Sequence, residues 1–555
     1  MKPITKNLIL IIVILSGFLF TYGCGHSNYS SDSYKAEESI GDNNSPATAT
    51  NTAASPAEMS VGDVYTVTFD GKDNGTINFE GTDNSAQFIL AISAIDTNFT
   101  AHTVQLSDEN AEFAEQYNVA AADENKWKDW STREAFDAQL RGAETVMSLD
   151  KGIEKAAPFH TAVSTMKAML STSAPAVGDT ESFKVLAGLS SLSSYKTVEA
   201  EIKCIGSNVI FYVDKQVEDN NSSDLTDADV ETLCAEFDSV ASQEIQMFGE
   251  PSDVNSDGHV AVLMTPQVNK LGAMGGGIIT GFFFANDLYR SANSNAREII
   301  YVMVPDSAGV YGMSIPKSFA MENLLPAVLP HELQHAINYN QKVFVAGGTA
   351  EENWLNEGLS HLAEDILGYG QENPSRVEVY LDDTAYYGPI TSGAPGLAER
   401  GAIYLLLRYL YEQSENGETF VWNLLHSEKS GVAGLEEAFG GTSEDFDQIS
   451  EFLLRWASTL VMSGYNLSTD PRFSYKERVW NDETEHWEGI CLDCNADDGR
   501  GTVLSGVSLS QYYGVSQIDI EPSAVQFYKI TSFPQEISMT AKTSGSYGAT
   551  LIRYQ

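Results

Sequence analysis

Basic side chains are scarce in this chain: 32 Lys and Arg stand against 77 Asp and Glu in 555 residues, a formal net charge of -45. The acids are dispersed along the sequence. Without a basic surface to neutralise phosphates, nucleic acid is disfavoured as a partner. Histidine is sparse too, at 9 residues, and forms no tract of the kind that stores metal. Cysteine is limited to 5 residues: Cys24, Cys204, Cys234, Cys491 and Cys494. The single Cys-x-x-Cys has no second pair for a zinc ribbon and no thioredoxin-like setting for redox work. The amino-terminal apolar run, residues 8–15, is too short to span a membrane comfortably.

That short run has a different meaning. Lys2 and Lys6 precede it and Gly23-Cys24 follows, the layout of an exported bacterial signal. Cys24 is the candidate lipidation site, although Thr21 and Tyr22 depart from the usual residues before such a cysteine. Residues 25–58 are rich in Ser, Asn, Thr and Ala, which suits a flexible linker between a membrane-held lipid and a folded body. The expectation is an exported, membrane-anchored lipoprotein at the cell surface or in the periplasm, or a secreted one. Export permits disulfides, and of the three pairings of the remaining cysteines the simplest joins Cys204 to Cys234 and Cys491 to Cys494.

His331-Glu332-Leu333-Gln334-His335 carries the chemistry. Histidines four apart on a helix project from one face and can share a tetrahedral zinc. Glu357, 22 positions after the second histidine, can supply a third ligand from a following helix. Three protein ligands and a water make a catalytic zinc rather than a structural one, and Glu332 falls beside that water as general base. Leu324, Val328, Leu329, Leu333 and Ile337 recur near helical spacing. Pro330 implies a kink or a helix start between Pro326 and Pro330. Turn-forming residues 338–342 and Gly347-Gly348 let the chain reverse, and Glu357 opens the second helix. Glu364, seven residues on, shares its face and is the candidate to orient a zinc-ligating histidine, with Asp365 as the other choice.

HELQHAIN followed by WLNEGLSHLAED resembles the hyicolysin family of neutral metallopeptidases, within the gluzincin group that includes thermolysin and the zinc aminopeptidases. The resemblance runs from about residue 177 to residue 410. It implies zinc ligation by His331, His335 and Glu357, with Glu332 as general base, and a thermolysin-like α+β catalytic domain. His361 stands where the thermolysin pattern has an orienting aspartate, which shifts that task to Glu364; His361 itself is expected at the surface rather than facing the cleft as a proton donor. Zinc aminopeptidases carry Gly-Ala-Met-Glu-Asn on a strand well before the zinc motif. Here Gly272-Ala273-Met274 lacks the carboxylate, and Ala320-Met321-Glu322-Asn323 lies too close to His331. Internal cleavage of protein or peptide substrates is therefore favoured over aminopeptidase action. In this architecture the run 298–304 would be the edge strand that binds an extended substrate, while the glycine-rich stretch 272–281 suggests a hairpin near the cleft. Tyr380, Tyr386, Tyr387 and Tyr404 are available as oxyanion partners, with no spacing rule to select among them.

The whole chain reads as multidomain. Residues 1–24 are the export signal and 25–58 the linker. Residues 59–175 form an amino-terminal β-rich module with a helical extension, 176–465 the zinc metallopeptidase domain, and 466–555 a carboxy-terminal β-rich module. Val61-Gly62-Asp63 and Val177-Gly178-Asp179 each mark the start of a β-rich segment. Asp253-Val254-Asn255-Ser256-Asp257-Gly258 opens like a calcium loop, but Met264 occupies the closing position, leaving a smaller Ca2+ turn or an Asx turn. One Zn2+ is the expected cofactor. A surface adhesin or binding lipoprotein on a silent peptidase fold is the alternative outside enzymes; retention of all three ligands and Glu332 speaks against it.

Overall fold

The computed structural model describes residues 52–71, 74–97, 102–108, 132–150, 152–156, 174–189, 191–220, 224–440, 448–464, 467–475, 479–481, 486–488, 490–492, 503–504 and 506–555. The export signal, Cys24 and nearly all of the linker lie outside them. Among the described residues no helix is long and apolar enough to cross a membrane.

Two sheet systems with mixed α and β content organise the fold. The first is built from two segments far apart in sequence, residues 64–107 and 510–553. Strands β1 (Val64–Asp70), β2 (Asn74–Asn78), β3 (Phe88–Ala94) and β4 (His102–Ser107) are supplied before the metal motif. The second sheet system follows: β5 (Thr180–Leu186), β6 (Tyr195–Ile205), β7 (Val209–Asp214), β8 (Val260–Met264), β9 (Gly281–Phe283) and β10 (Ile299–Val302). Two small pairs come next, β11 (Val479–Asn481) with β12 (His486–Glu488), and β13 (Cys491–Leu492) with β14 (Val503–Leu504). Strands β15 (Ser510–Gln511), β16 (Val515–Ile520), β17 (Val525–Ile530), β18 (Glu536–Ala541) and β19 (Ser546–Arg553) close the chain.

The terminal strands interleave in the orders β1-β19-β3-β17-β15 and β16-β4-β18-β2. The two β-rich segments that the sequence divides between residues 59–175 and 466–555 thus share the same two sheets. Pairing explains it: β3 lies between β19 and β17 and completes its hydrogen bonding only with strands more than 400 positions away. The unbroken apolar sequence of β3 has a matching cause. Phe88, Leu90 and Ile92 face a core shared with the four-stranded sheet, whereas Ile89 and Ala91 face the core of the central region. A strand buried on both faces has no polar alternation. On the neighbouring strand β19 the packing on this inner face is so close that a Cβ on Gly548 would lie 2.2 Å from Leu454.

The central sheet has the order β5-β6-β7-β8-β10-β9. Its middle strands β7, β8 and β10 are parallel and wholly buried, while β9 is the antiparallel edge. The expected substrate strand 298–304 is therefore corrected: β10 is enclosed by β8 and β9, and the free edge belongs to β9 beside the glycine-rich stretch. Periodicity could not distinguish them, since each is a short apolar run. Before both β1 and β5 the Val-Gly-Asp signature makes one device. Gly62 and Gly178 adopt φ of 89° and 95°, and Asp63 and Asp179 accept backbone N–H bonds from Ser60 and Ala176.

Helices that pack on these sheets and around the histidine motif include α1 (Thr132–Leu149), α2 (Asp227–Phe248), α3 (Leu325–Tyr339), α4 (Asn353–Ile366), α5 (Asn373–Asp382), α6 (Leu397–Gln413) and α7 (Ile449–Gly464). Thr226 and Asp229 form a capping box at α2, and a Cys204–Cys234 disulfide ties α2 to β6. Cys491 is also disulfide-bonded, whereas Cys494 lies outside the described residues. Helix α3 departs from expectation at both ends. It starts at Leu325, after a π-helical turn at Ala320–Leu324, and runs through Pro330. Pro326 sits in its first turn, where no N–H is required. At the other end a second π-helical turn, Asn340–Val345, extends past residues 338–342, and the reversal comes at Gly347, with φ 78°. Helix α4 then begins at Asn353, so Glu357 lies one turn inside it rather than at its opening.

Candidate metal centre

Helix α3 presents His331 and His335 on one face, their ring centroids 4.8 Å apart and nearly perpendicular. Helix α4 brings Glu357 opposite. Its Oε2 is 3.6 Å from His331 Nε2 and its Oε1 is 3.7 Å from His335 Nε2, too far for good hydrogen bonds. One ligand atom from each of the three residues lies within 4.8 Å of the others. Glu357 is completely buried; Arg400 pairs with its Oε2, whereas its Oε1 has no hydrogen-bond partner among the described residues. An orphaned carboxylate oxygen facing two imidazole nitrogens across such a gap fits a small cation, and two nitrogens with one oxygen are a donor set suited to zinc.

The far sides of the rings are held. His331 Nδ1–H donates to Glu364 at 2.6 Å, leaving Nε2 for the gap. His335 Nδ1–H donates to Asn356 Oδ1 at 3.0 Å, with Ser360 Oγ at 3.2 Å. His361, expected at the surface, is instead fully buried and contacts the same Glu364 oxygen at 3.0 Å. It lies on the inward face of α4, one turn before Glu364, and the two pair at i,i+3. Asp365, the other orienting candidate, pairs with Arg408 on α6.

The electrostatics follow from burial and pairing. Burial works against the His331 cation, but the Glu357 and Glu364 carboxylates outweigh it and lift its pKa to about 9. Burial and nearby Arg141 hold His335 well below its ordinary value, in the neutral form that binds metals. Glu357 stays ionised: burial opposes its charge, but Arg400 and the histidines keep its pKa well below the usual range. Arg400 Nη1 is 2.8 Å from Glu357 and Nη2 is 2.9 Å from Asp137 on α1. Glu332 accepts a 2.9 Å bond from the backbone N–H of Phe283 on the β9 edge, and burial raises its pKa even though His331 opposes the shift.

Asn356 could have been found in the sequence as the neighbour of a ligand, and Arg400 as a charge at the head of an apolar helix. Their partners could not. Other candidates fall away from the cluster. Tyr380 stacks on Trp456, and Tyr404 is buried near Asp365 and Arg408. Ala320–Asn323 belongs to the turn ahead of α3, with Glu322 exposed. In the Asp253–Gly258 turn the side-chain oxygens serve the local backbone, and Arg297 takes Asp257 at 2.7 Å. That is an Asx-type turn closed by an arginine.

No family model matches the chain. It is 27% identical over 243 residues to the neutral metalloprotease ShpI of Staphylococcus hyicus, a stretch covering 42% of this chain and 54% of that protein. The chain thus spans about half the length of the curated relative it matches. This partial likeness, together with the His/Glu cluster, supports a metallopeptidase at the level of broad family.

Proposed function

We propose that the chain is a zinc-dependent endopeptidase, with His331, His335 and Glu357 as metal ligands and Glu332 as general base. The observation that carries this reading is the meeting of two buried imidazole nitrogens with a buried carboxylate whose Oε1 lacks a hydrogen-bond partner among the described residues. Zinc bound there would supply Lewis acidity and lower the pKa of a bound water. Glu332 would take that water's proton and pass it to the leaving amine; its raised pKa brings it nearer the range in which one carboxyl group serves as base and then acid. Glu364 and Asn356 would hold the ligand imidazoles, and Arg400 would keep Glu357 ionised. The reaction is read as internal cleavage because neither aminopeptidase-like fragment offers a free-amine anchor at the cluster. The likeness to a neutral metalloprotease points the same way on substrate class. Export and lipidation at Cys24 would place the activity at a membrane surface.

The test is elemental analysis combined with cleavage of labelled casein. One zinc per chain, loss of cleavage on chelation and recovery with zinc are expected. Purified folded protein that takes up no zinc would overturn the proposal.

A further inference from the structure

The cluster is sealed. His331, Glu332, His335 and Glu357 are only 1%, 3%, 2% and 0% exposed, whereas a peptidase must admit an extended backbone to such a group. Helix α1 lies over this region with Gln139, Gly142, Val146 and Leu149 exposed on its outer side. Its inner side carries Arg133, Asp137, Arg141 and Glu144, a stripe at helical spacing with alternating charge, beside the buried core residues Phe136 and Leu140.

Each member of the stripe meets a group around the cluster. Arg133 is 3.5 Å from Glu372, and Asp137 is 2.9 Å from the Arg400 that also holds Glu357. Arg141 donates to the Phe283 carbonyl at 2.7 Å, and Glu144 accepts from the Ala285 N–H at 3.0 Å. Phe136 packs edge-on against Phe282, and Ser148 accepts a bond from the Ala350 backbone. The edge strand is therefore occupied. Phe283 has its N–H taken by Glu332 and its carbonyl by Arg141, although an open strand edge is what would pair an extended peptide. Buried ion pairs contribute little net stability against water and can be resolvated on separation.

We propose that α1 is a built-in inhibitory cover, held over the metal cluster and the β9 edge by its charged stripe, and that it must be displaced before substrate can enter. The inference rests on the peptidase reading for its meaning, but its geometry does not.

The experiment compares the full zinc-loaded chain with a Phe136→Asp/Arg141→Glu variant. Two readouts are used: cleavage of labelled casein, and zinc transfer to the chromogenic chelator 4-(2-pyridylazo)resorcinol. Displacement of α1 is expected to raise both rates at least tenfold, and adding Glu332→Gln should remove the cleavage gain alone. Equal transfer rates in folded proteins would overturn the cover, even if both cleave casein. Faster transfer with no cleavage by either protein would support the cover while refuting the peptidase reading. Cys234→Ser, altered away from α1, should leave transfer unchanged; a comparable acceleration there would count against the proposal. If circular dichroism shows the double variant unfolded, Arg141→Ala carries the same comparison, with at least a threefold change expected.

Discussion

Glu364 is the residue on which two histidines converge, since both His331 and His361 meet its Oε1. Removing a carboxylate behind a metal-ligating imidazole usually costs about 10- to 100-fold in metal affinity or activity. Glu364→Ala is accordingly expected to weaken zinc binding by about that factor in a competition titration, whereas Asp365→Ala, paired with Arg408 instead, should not. A second buried carboxyl sets a pH dependence of stability. Burial raises Asp287 to about 7, despite bonds from the Asn295 backbone and Tyr301. Its unfolded value is near 3.8, so between about pH 4 and 7 the unfolded chain ionises first and stability falls as pH rises. Urea denaturation across that interval should show a smaller decline in Asp287→Asn. At this scale the shared face of His331 and His335 was legible because helical spacing fixes which residues lie together on one helix. His361 and Arg400 were not, because their partners belong to tertiary packing and leave no local period.

Among the helices, α4 and α6 make contact at Gly358, next to Glu357. A Cβ there would stand 2.5 Å from Ile403 Cγ1 and 2.9 Å from Leu407 Cδ1. Gly358→Ala should therefore force the helices apart, costing about 1–3 kcal/mol as overpacking does. Because α6 also carries Arg400, zinc affinity should drop with it; thermal unfolding and zinc titration of one sample check both. The α2–β6 disulfide joins cysteines separated by 30 positions, and opening a loop of that size is expected to cost about 3–4 kcal/mol in denaturant unfolding of Cys234→Ser. Element types were readable where their pattern was long, as in the apolar helix around residues 401–410. The edge position of β9 was hidden because its three residues are apolar like the enclosed strands. Pro330 misled for a different reason: a proline costs one backbone bond, and the buried setting of α3 tolerates it.

At the scale of the whole molecule, residues 64–107 and 510–553 are one structural unit. Strand β3 is hydrogen-bonded on both sides by carboxy-terminal strands, and its inner face packs with the central core. A chain ending after residue 465 should thus lose more than the deleted strands: β1 and β3 would be left without partners, and the protein is expected to aggregate or lose a disproportionate share of its strand signal by circular dichroism. Retention of a native-like amino-terminal sheet would contradict this. Such pairing between distant segments has no signature in either segment, which is why two modules were expected where one sandwich stands. The central claim concerns Glu332, the carboxylate proposed as general base beside the His/Glu cluster. It is tested most directly by measuring zinc content and casein cleavage for the native and Glu332→Gln chains, each also in the Phe136→Asp/Arg141→Glu background. Equal zinc in all four, with cleavage confined to chains that keep Glu332, is the predicted result; equal cleavage with and without Glu332 would contradict it.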